Sequence, residues 1–277
     1  MEFFLILNYN NTNLINNLIK NIDEKISEKI IVIVDNGSDV NKYNMLNQLK
    51  REDIFIIRSE KNLGFGKGNN VGYKYILDNF TNINNIHCIN SDIEIINDDF
   101  FNIINKYEND YFVLGPNVLT NGFKSSPLYI RNNLTLLNDI KKEKKIMLNK
   151  KLKHQMLSKF KKFYDQKIDY TKHLINQDNG MEDINLKENE YYVLNGCYLI
   201  FTKKYINKFN YLFDENTFLY YEEDFLFKRL YDNKCSVKYI KEITINHLEG
   251  GSTKKDLVKK YHHMYDSLKE FERVLND

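Results

Sequence analysis

The 277-residue chain reads as an α/β protein built on a mixed, mostly parallel central sheet flanked by helices. Three observations predict this. Strand-like and helix-like segments alternate through the first hundred or so residues. One of these strands, Ile30–Val34, is apolar and β-branched throughout, the pattern of a strand covered on both faces. Two strands also end in polar, acid-bearing turns, at Asp35-Asn36-Gly37-Ser38 and at Asn90-Ser91-Asp92, where sheets of this kind bind ligands.

The elements follow in order. Phe3–Leu7 is a short apolar run ending at Asn8, Tyr9, Asn10 and Asn11, and Asn13–Ile22 carries Leu and Ile at helical spacing. Ile30–Val34 is the second strand and Ile54–Ile57 the third. A glycine-rich loop from Asn62 to Gly72 then leads into a helix through Phe80. Ile86–Ile89 is a fourth strand, and Tyr111–Leu114 another. Between about 123 and 189 no strand alternation is visible. There Lys141 to Lys172 is dense in lysine, with Leu152, Met156, Phe160 and Phe163 at helical spacing. The favoured reading is a helical insertion that packs this apolar stripe on the domain while its lysines stay solvated. An anionic membrane surface or an anionic acceptor is the alternative. The α/β pattern resumes with a strand Tyr191–Phe201, interrupted at Gly196. An acidic segment around Glu222 follows, then strands Ser236–Ile240 and Ile243–His247 and a closing helix Lys254–Leu275. The expected organisation is one domain over 1–253, with the insertion at about 123–189, and a C-terminal helix over 254–277 packed on it.

Composition narrows the function. A net charge of +2 is too near neutral to argue for nucleic acid. No run reaches membrane-spanning length, and the start of the chain lacks the basic segment of a secretory signal. Cys88, Cys197 and Cys235 are far apart and read as buried small hydrophobes of a reducing cytosol, not as a metal or disulfide framework. With 20 Tyr, 18 Phe and no Trp, phenyl and phenol rings must fill much of the core.

Several groups can carry chemistry. Asp35 by itself is an Asx-turn carboxylate. Gly64, Gly66 and Gly68 would let backbone amides approach a phosphate or sugar, with the next helix offering its N-terminus to an anion. The glycine spacing is neither that of a dinucleotide fold nor that of a P-loop. Asp92, with Glu94 two residues on, is a hard oxygen donor that suits Mg2+ or Mn2+ beside a phosphate site. His247, at the end of a β-branched run before Gly250-Gly251-Ser252-Thr253, would serve as a second ligand, which favours Mn2+. Glu222, Glu223 and Asp224 head an apolar helical run. A helix start favours acids, yet three together exceed what capping needs. Facing a cleft, their mutual repulsion would raise one pKa and prepare a general base.

Taken in order, these segments resemble a known family. Asn8-Tyr9-Asn10, Val34–Ser38, Asn62-x-Gly-Phe-x-x-Gly-Asn-Asn-x-Gly72, Asn90-Ser91-Asp92, Asn195-Gly196-Cys197, Phe218–Glu223 and His247-x-x-Gly-Gly-Ser252 match the family 2 glycosyltransferases of GT-A fold. They look most like the bacterial branch that includes rhamnosyl- and galactosyltransferases of surface polysaccharides. The match covers about residues 1–120 and 190–253. The resemblance implies that Asp35 contacts the nucleotide base, with Asn8, Tyr9 and Asn10 lining the same pocket. Asn36, Asn62, Gly64, Phe65, Gly68, Asn69, Asn90 and Ser91 complete the nucleotide-sugar site. Asp92 stands for the last acid of the family's metal motif, whose first acid is replaced by Asn90, and His247 for a histidine that reaches metal or diphosphate. Glu222-Glu223 matches an acidic pair whose second member is the base. Glu223 is therefore the choice and Asp224 its competitor. Gly196 and Cys197 border the acceptor.

The implied reaction is inverting transfer from a UDP- or dTDP-sugar, assisted by a divalent metal, to a growing or lipid-linked bacterial surface glycan. It would take place in the cytoplasm, with peripheral contact at the inner face of the plasma membrane. A sugar-phosphate nucleotidyltransferase and a non-catalytic nucleotide-sugar-binding scaffold are the rival readings.

Overall fold

Apolar β-branched runs form the strands and polar turns end them. In chain order the first half comprises β1 (Glu2–Asn8), α1 (Thr12–Lys25), β2 (Lys29–Asp35), α2 (Val40–Asn47), β3 (Ile54–Arg58), α3 (Phe65–Asn79), β4 (Asn85–Asn90), β5 (Ile93–Ile95) and α4 (Phe100–Ile104). Then come β6 (Val113–Thr120), β7 (Phe123–Lys124), β8 (Tyr129–Asn132), α5 (Leu136–Lys159), β9 (Glu190–Val193) and β10 (Tyr198–Thr202). The chain closes with α6 (Lys203–Lys208), α7 (Glu222–Asp232), β11 (Val237–His247) and α8 (Leu257–Asn276). The computed structural model describes residues 1–159, 186–248 and 256–277.

The main sheet runs β3-β2-β1-β4-β10-β6-β11-β5, with β7 paired to β6. Pairing is parallel from β3 to β4 and again between β6 and β11. β10 enters antiparallel between β4 and β6 and joins these two parallel blocks. In-register pairing of Asn8 with Asp35 sets the ends of β1 and β2 side by side.

The sheet is covered on both faces, as the apolar β2 run predicts. Phe4, Ile6, Ile31 and Ile33 pack beneath α1, α2 and α4 through Ile15, Leu46 and Phe100. Phe3, Leu5, Val32 and Val34 face α3, α6 and α7 through Tyr73, Tyr205 and Leu226. A third cluster joins α5, α7 and α8 through Leu136, Ile140, Phe225, Leu268 and Phe271. All three cysteines are buried and free, and among the described residues no helix is long and apolar enough to cross a membrane.

The structure corrects four readings. The 123–189 segment does contain strands: β7 extends the main sheet, and β8 pairs with β9 in a separate ribbon. The run Tyr191–Phe201 is therefore two strands in two sheets, split at Asn195–Cys197. Ser236–Ile240 and Ile243–His247 are one strand, β11, with a register irregularity between Ile240 and Thr244. Finally, α5 buries Leu136 and Ile140, whereas Leu152 is 48% exposed. Part of its lysine face is turned toward α8, where Lys150 and Lys151 lie 5.6 and 5.1 Å over the rings of Tyr261 and Tyr265. The side chain of Met156, together with Phe160, Phe163 and the Gly250–Thr253 turn, lies outside the described residues.

Candidate active site

The ends of β1 and β2 open onto a web of short polar side chains. Asn8 Nδ2 donates to Asp35 Oδ1 at 3.2 Å, and Asn8 Oδ1 accepts the Asn11 amide at 3.1 Å. Asp35 is fully buried; its Oδ2 accepts no hydrogen bond and faces Arg58 Nε at 3.5 Å. Asn10 accepts the Asp39 amide at 2.9 Å, so it braces the turn beside Asp35. Asn36 Nδ2 donates to Asn62 Oδ1 at 3.1 Å and to the Gly64 carbonyl at 3.0 Å, tying the turn after β2 to the loop before α3.

That loop ends sooner than its glycines suggest. α3 begins at Phe65, so Gly66, Gly68 and Gly72 lie inside the helix. A Cβ at Gly66 would stand 2.5 Å from the Asp214 carbonyl, one at Gly68 2.6 Å from Leu7, and one at Gly72 2.2 Å from Leu5. At these three glycines the missing Cβ makes room for close packing. Gly64 is different. Its φ of +86° and ψ of −176° fall in a region open to glycine alone, and a Cβ would sit 2.3 Å from the Phe218 carbonyl. This contact lets Phe65 N donate to Phe218 O at 2.9 Å and docks the 218–221 segment on the start of α3.

That segment delivers the acids. Tyr220 and Tyr221 both adopt left-handed backbone, φ 75° and 68°, uncommon for bulky residues. They reverse the chain so that α7 starts at Glu222 with its first turn over the cavity. Glu222 is 3% exposed, and its Oε1 has no hydrogen-bond partner. Glu223 Oε1 accepts the Gly196 amide at 3.2 Å, and a Cβ at residue 196 would come within 2.4 Å of that oxygen. Asp224 is fully buried and doubly engaged: Oδ1 accepts Arg131 Nε at 2.8 Å, and Oδ2 accepts the Tyr129 hydroxyl.

Burial, first, and then the charge of Glu223 push Glu222 up to about 8. Burial, with Asp224 adding repulsion, pushes Glu223 up to about 7, against the pull of its own amide and that of Gly196. The two titrate as a pair near neutrality. Burial also raises Asp224, opposed by Arg131.

At the edge of β4, Asp92 Oδ1 lies 3.3 Å from His247 Nε2, and the Leu248 amide donates to the Asp92 carbonyl at 2.9 Å. Among the described residues no group of three or more His, Cys, Asp or Glu side chains is placed to hold a metal ion. One carboxylate and one imidazole suit an ion that takes its other ligands from substrate phosphate and water. They do not form a closed protein cage. The Asn90 amide donates to the Cys197 carbonyl at 2.8 Å, which fixes Gly196 and Cys197 beside this strand end.

These groups share one cavity of about 860 Å³, near the top of the ~300–1,000 Å³ range of small-molecule sites. Asn36, Asn62, Gly64, Phe65 and Tyr9 line one wall, and Asn90, Ser91, Asp92 and His247 stand with them. Glu222, Glu223, Gly196 and Cys197 line it as well. Asn8, Asn10, Asp35, Gly68, Asn69 and Asp224 do not. Asn69 is 1% exposed, with its amide bonded to Phe65 O and to the Cys88 thiol.

Residues 4–171 match the sequence model of Glycosyl transferase family 2. The chain belongs to glycosyl transferase family 2. The solved structures agree on the fold, an α/β GT-A-like architecture. One is the mannosyltransferase PcManGT from Pyrobaculum calidifontis in complex with GDP-Man and Mn2+, at 10% identity and a TM-score of 0.57. Another is GalNAc-T7 with UDP, GalNAc and Mn2+, at 11% identity and a TM-score of 0.56. The alignments cover 100% and 98% of this chain but only 64% and 47% of those two. No curated protein matches.

Sequence reasoning missed Tyr129, Glu143, Leu257, Lys260 and Met264, all of which line the cavity of this family 2 chain, and Arg131 behind them. One signal was present for Arg131. The chain carries five arginines among its 40 Lys and Arg, and Arg131 is the only one in the lysine-rich 123–189 segment. An arginine kept where lysine is the habit points to a planar, bidentate contact.

Proposed function

We propose that the chain is an inverting, nucleotide-sugar-dependent glycosyltransferase with Glu223 as its base. One observation carries this reading: of the three adjacent acids, Glu223 combines a wall position in the cavity, a backbone N–H partner and a pKa near neutrality. Asp224, the competitor, is held by Arg131 and Tyr129 and faces away from the cavity. A base poised near the working pH is the efficient choice for deprotonating a hydroxyl.

In this reading the donor nucleotide, a UDP- or dTDP-sugar, occupies the wall of Tyr9, Asn36 and Asn62, with Asp35 behind it. The diphosphate lies toward Asp92 and His247. Those two residues would hold a Mn2+ or Mg2+ ion, whose chemistry there is neutralisation of the departing diphosphate. Glu223 takes the proton of an acceptor hydroxyl. The freed oxygen bonds to the anomeric carbon from the face opposite the nucleotide, the bond from that carbon to the diphosphate oxygen breaks, and the nucleoside diphosphate leaves. One displacement inverts the centre.

Gly196 and Cys197 border the acceptor, a hydroxyl of a growing or lipid-linked bacterial surface glycan. The order of motifs supports the rhamnosyl- and galactosyltransferase-like branch and a cytoplasmic enzyme working at the inner face of the plasma membrane. The test is a thermal-shift panel of nucleotide sugars, since a ligand bound to the folded state raises its melting temperature. UDP or dTDP release from the best binder follows, with and without Mn2+. Binding without release, on every acceptor offered, would favour the scaffold reading.

A further inference from the structure

Arg131, at the heart of β8, stands between two carboxylates from two helices. Its Nε donates to Asp224 Oδ1 at 2.8 Å, its Nη1 to Glu143 Oε1 at 2.5 Å and its Nη2 to Glu143 Oε2 at 3.2 Å. The Tyr129 hydroxyl takes the second Asp224 oxygen, and the guanidinium lies 4.5 Å over the Tyr129 ring. Tyr221, the residue before α7, bonds to Glu143 through its side chain. Strand β8, helix α5 and the first turn of α7 thus meet at one buried fork.

Stability alone is a poor account of this arrangement. Taking such charges out of water costs about as much as their attraction returns, and apolar replacements of similar shape are often neutral or better. What the fork supplies is direction. Successive residues on an α-helix point about 100° apart. Pinning Asp224 toward β8 therefore sets the rotation of the turn that carries Glu223 toward Gly196.

We propose that Arg131 is a positioning residue: its two-sided fork, anchored on Glu143 of α5, fixes the rotation of the first turn of α7 that aims Glu223 into the cavity. The proposal rests on Glu223 being the base. Lysine keeps the charge but cannot bridge two carboxylates in one plane.

The experiment compares Arg131→Lys with the double variant Arg131→Met/Asp224→Leu, which removes both buried charges and guards against a single variant that misfolds. UDP release from the most active UDP-sugar gives kcat and KM. Both variants are expected to fold cooperatively and to lose about tenfold in kcat, with donor KM unchanged, the mark of a defect in the reacting geometry. In a crystal structure of Arg131→Lys the Gly196–Glu223 hydrogen bond is expected to be lost. Wild-type kcat in either folded variant, or a loss confined to donor KM, would overturn the proposal, as would an intact Gly196–Glu223 bond. Glu223→Gln separates the two ideas. Full activity there removes the base reading, while the crystal structure still reports whether Arg131 sets the direction of residue 223.

Discussion

The two walls of the cavity are built differently. At the strand ends of β1, β2 and β4, short polar side chains bond mostly to one another across neighbouring turns, as Asn36 does with Asn62 and Gly64. Behind the helical side, charged groups are held by partners far along the chain: Arg131 and Asp224 are 93 positions apart, and Lys144 pairs with Glu272 across 128. The first wall thus shows its chemistry in local motifs. On the second, a residue's role depends on which of its neighbours is already paired, and that is decided only in three dimensions.

The sharpest way to break this contrast is at the acids. Glu223→Gln should lower kcat by on the order of 10²–10⁴ in the UDP-release assay with the melting temperature little changed. Asp224→Asn should instead lower the melting temperature by several degrees and cost less in rate, because it unbalances a buried ion pair. The opposite pattern would move the base to Asp224.

Behind the strand-end wall, Asp35→Asn should raise the donor KM by about tenfold and leave kcat within a few-fold, the signature of lost ground-state binding. A smaller effect is expected where the walls meet. Gly64→Ala forces a side chain into glycine-only backbone against the Phe218 carbonyl and should cost about 1–3 kcal/mol, read from urea unfolding.

The smallest effect is in the pH profile. Glu222 and Glu223 have folded pKa values raised to about 8 and about 7. The folded state therefore holds their protons more tightly than the unfolded chain does. The stability they contribute is full below the ordinary carboxylate range and lost as pH rises through those raised values. Glu222→Gln should accordingly match wild type in melting temperature near pH 4 and exceed it near pH 9. In wild type, kcat should climb as pH rises through about 7, where Glu223 loses its proton. A flat profile there would mean that proton removal by this pair does not limit the rate.

Legibility followed the same division. The β-branched run at Ile30–Val34 announced a covered strand because composition alone dictates burial on both faces. The trio Glu222–Asp224 announced a loaded helix start because three acids in one turn are conspicuous. The packing of Gly66 and Gly68 was not legible, because a missing Cβ has the same spelling whether it admits a phosphate or the Asp214 carbonyl and Leu7. Tyr191–Phe201 looked like one strand because nothing in its composition says that its halves pair with different sheets. Glu143 was hidden, and Arg131 was signalled only as a lone arginine among lysines, because their partners sit in other elements.

The placement of β10 has a consequence for how the molecule is made. The parallel block β3-β2-β1-β4 is complete by residue 90, yet the free edge of β4 meets its neighbour only when residues 198–202 arrive. Through synthesis of the intervening hundred or so residues, β4 presents unpaired N–H and C=O groups, the usual template for wrong strand pairing. Fragments that stop before residue 198 should therefore aggregate through that edge, and the complete chain should refold slowly, limited by a single late insertion that closes the sheet.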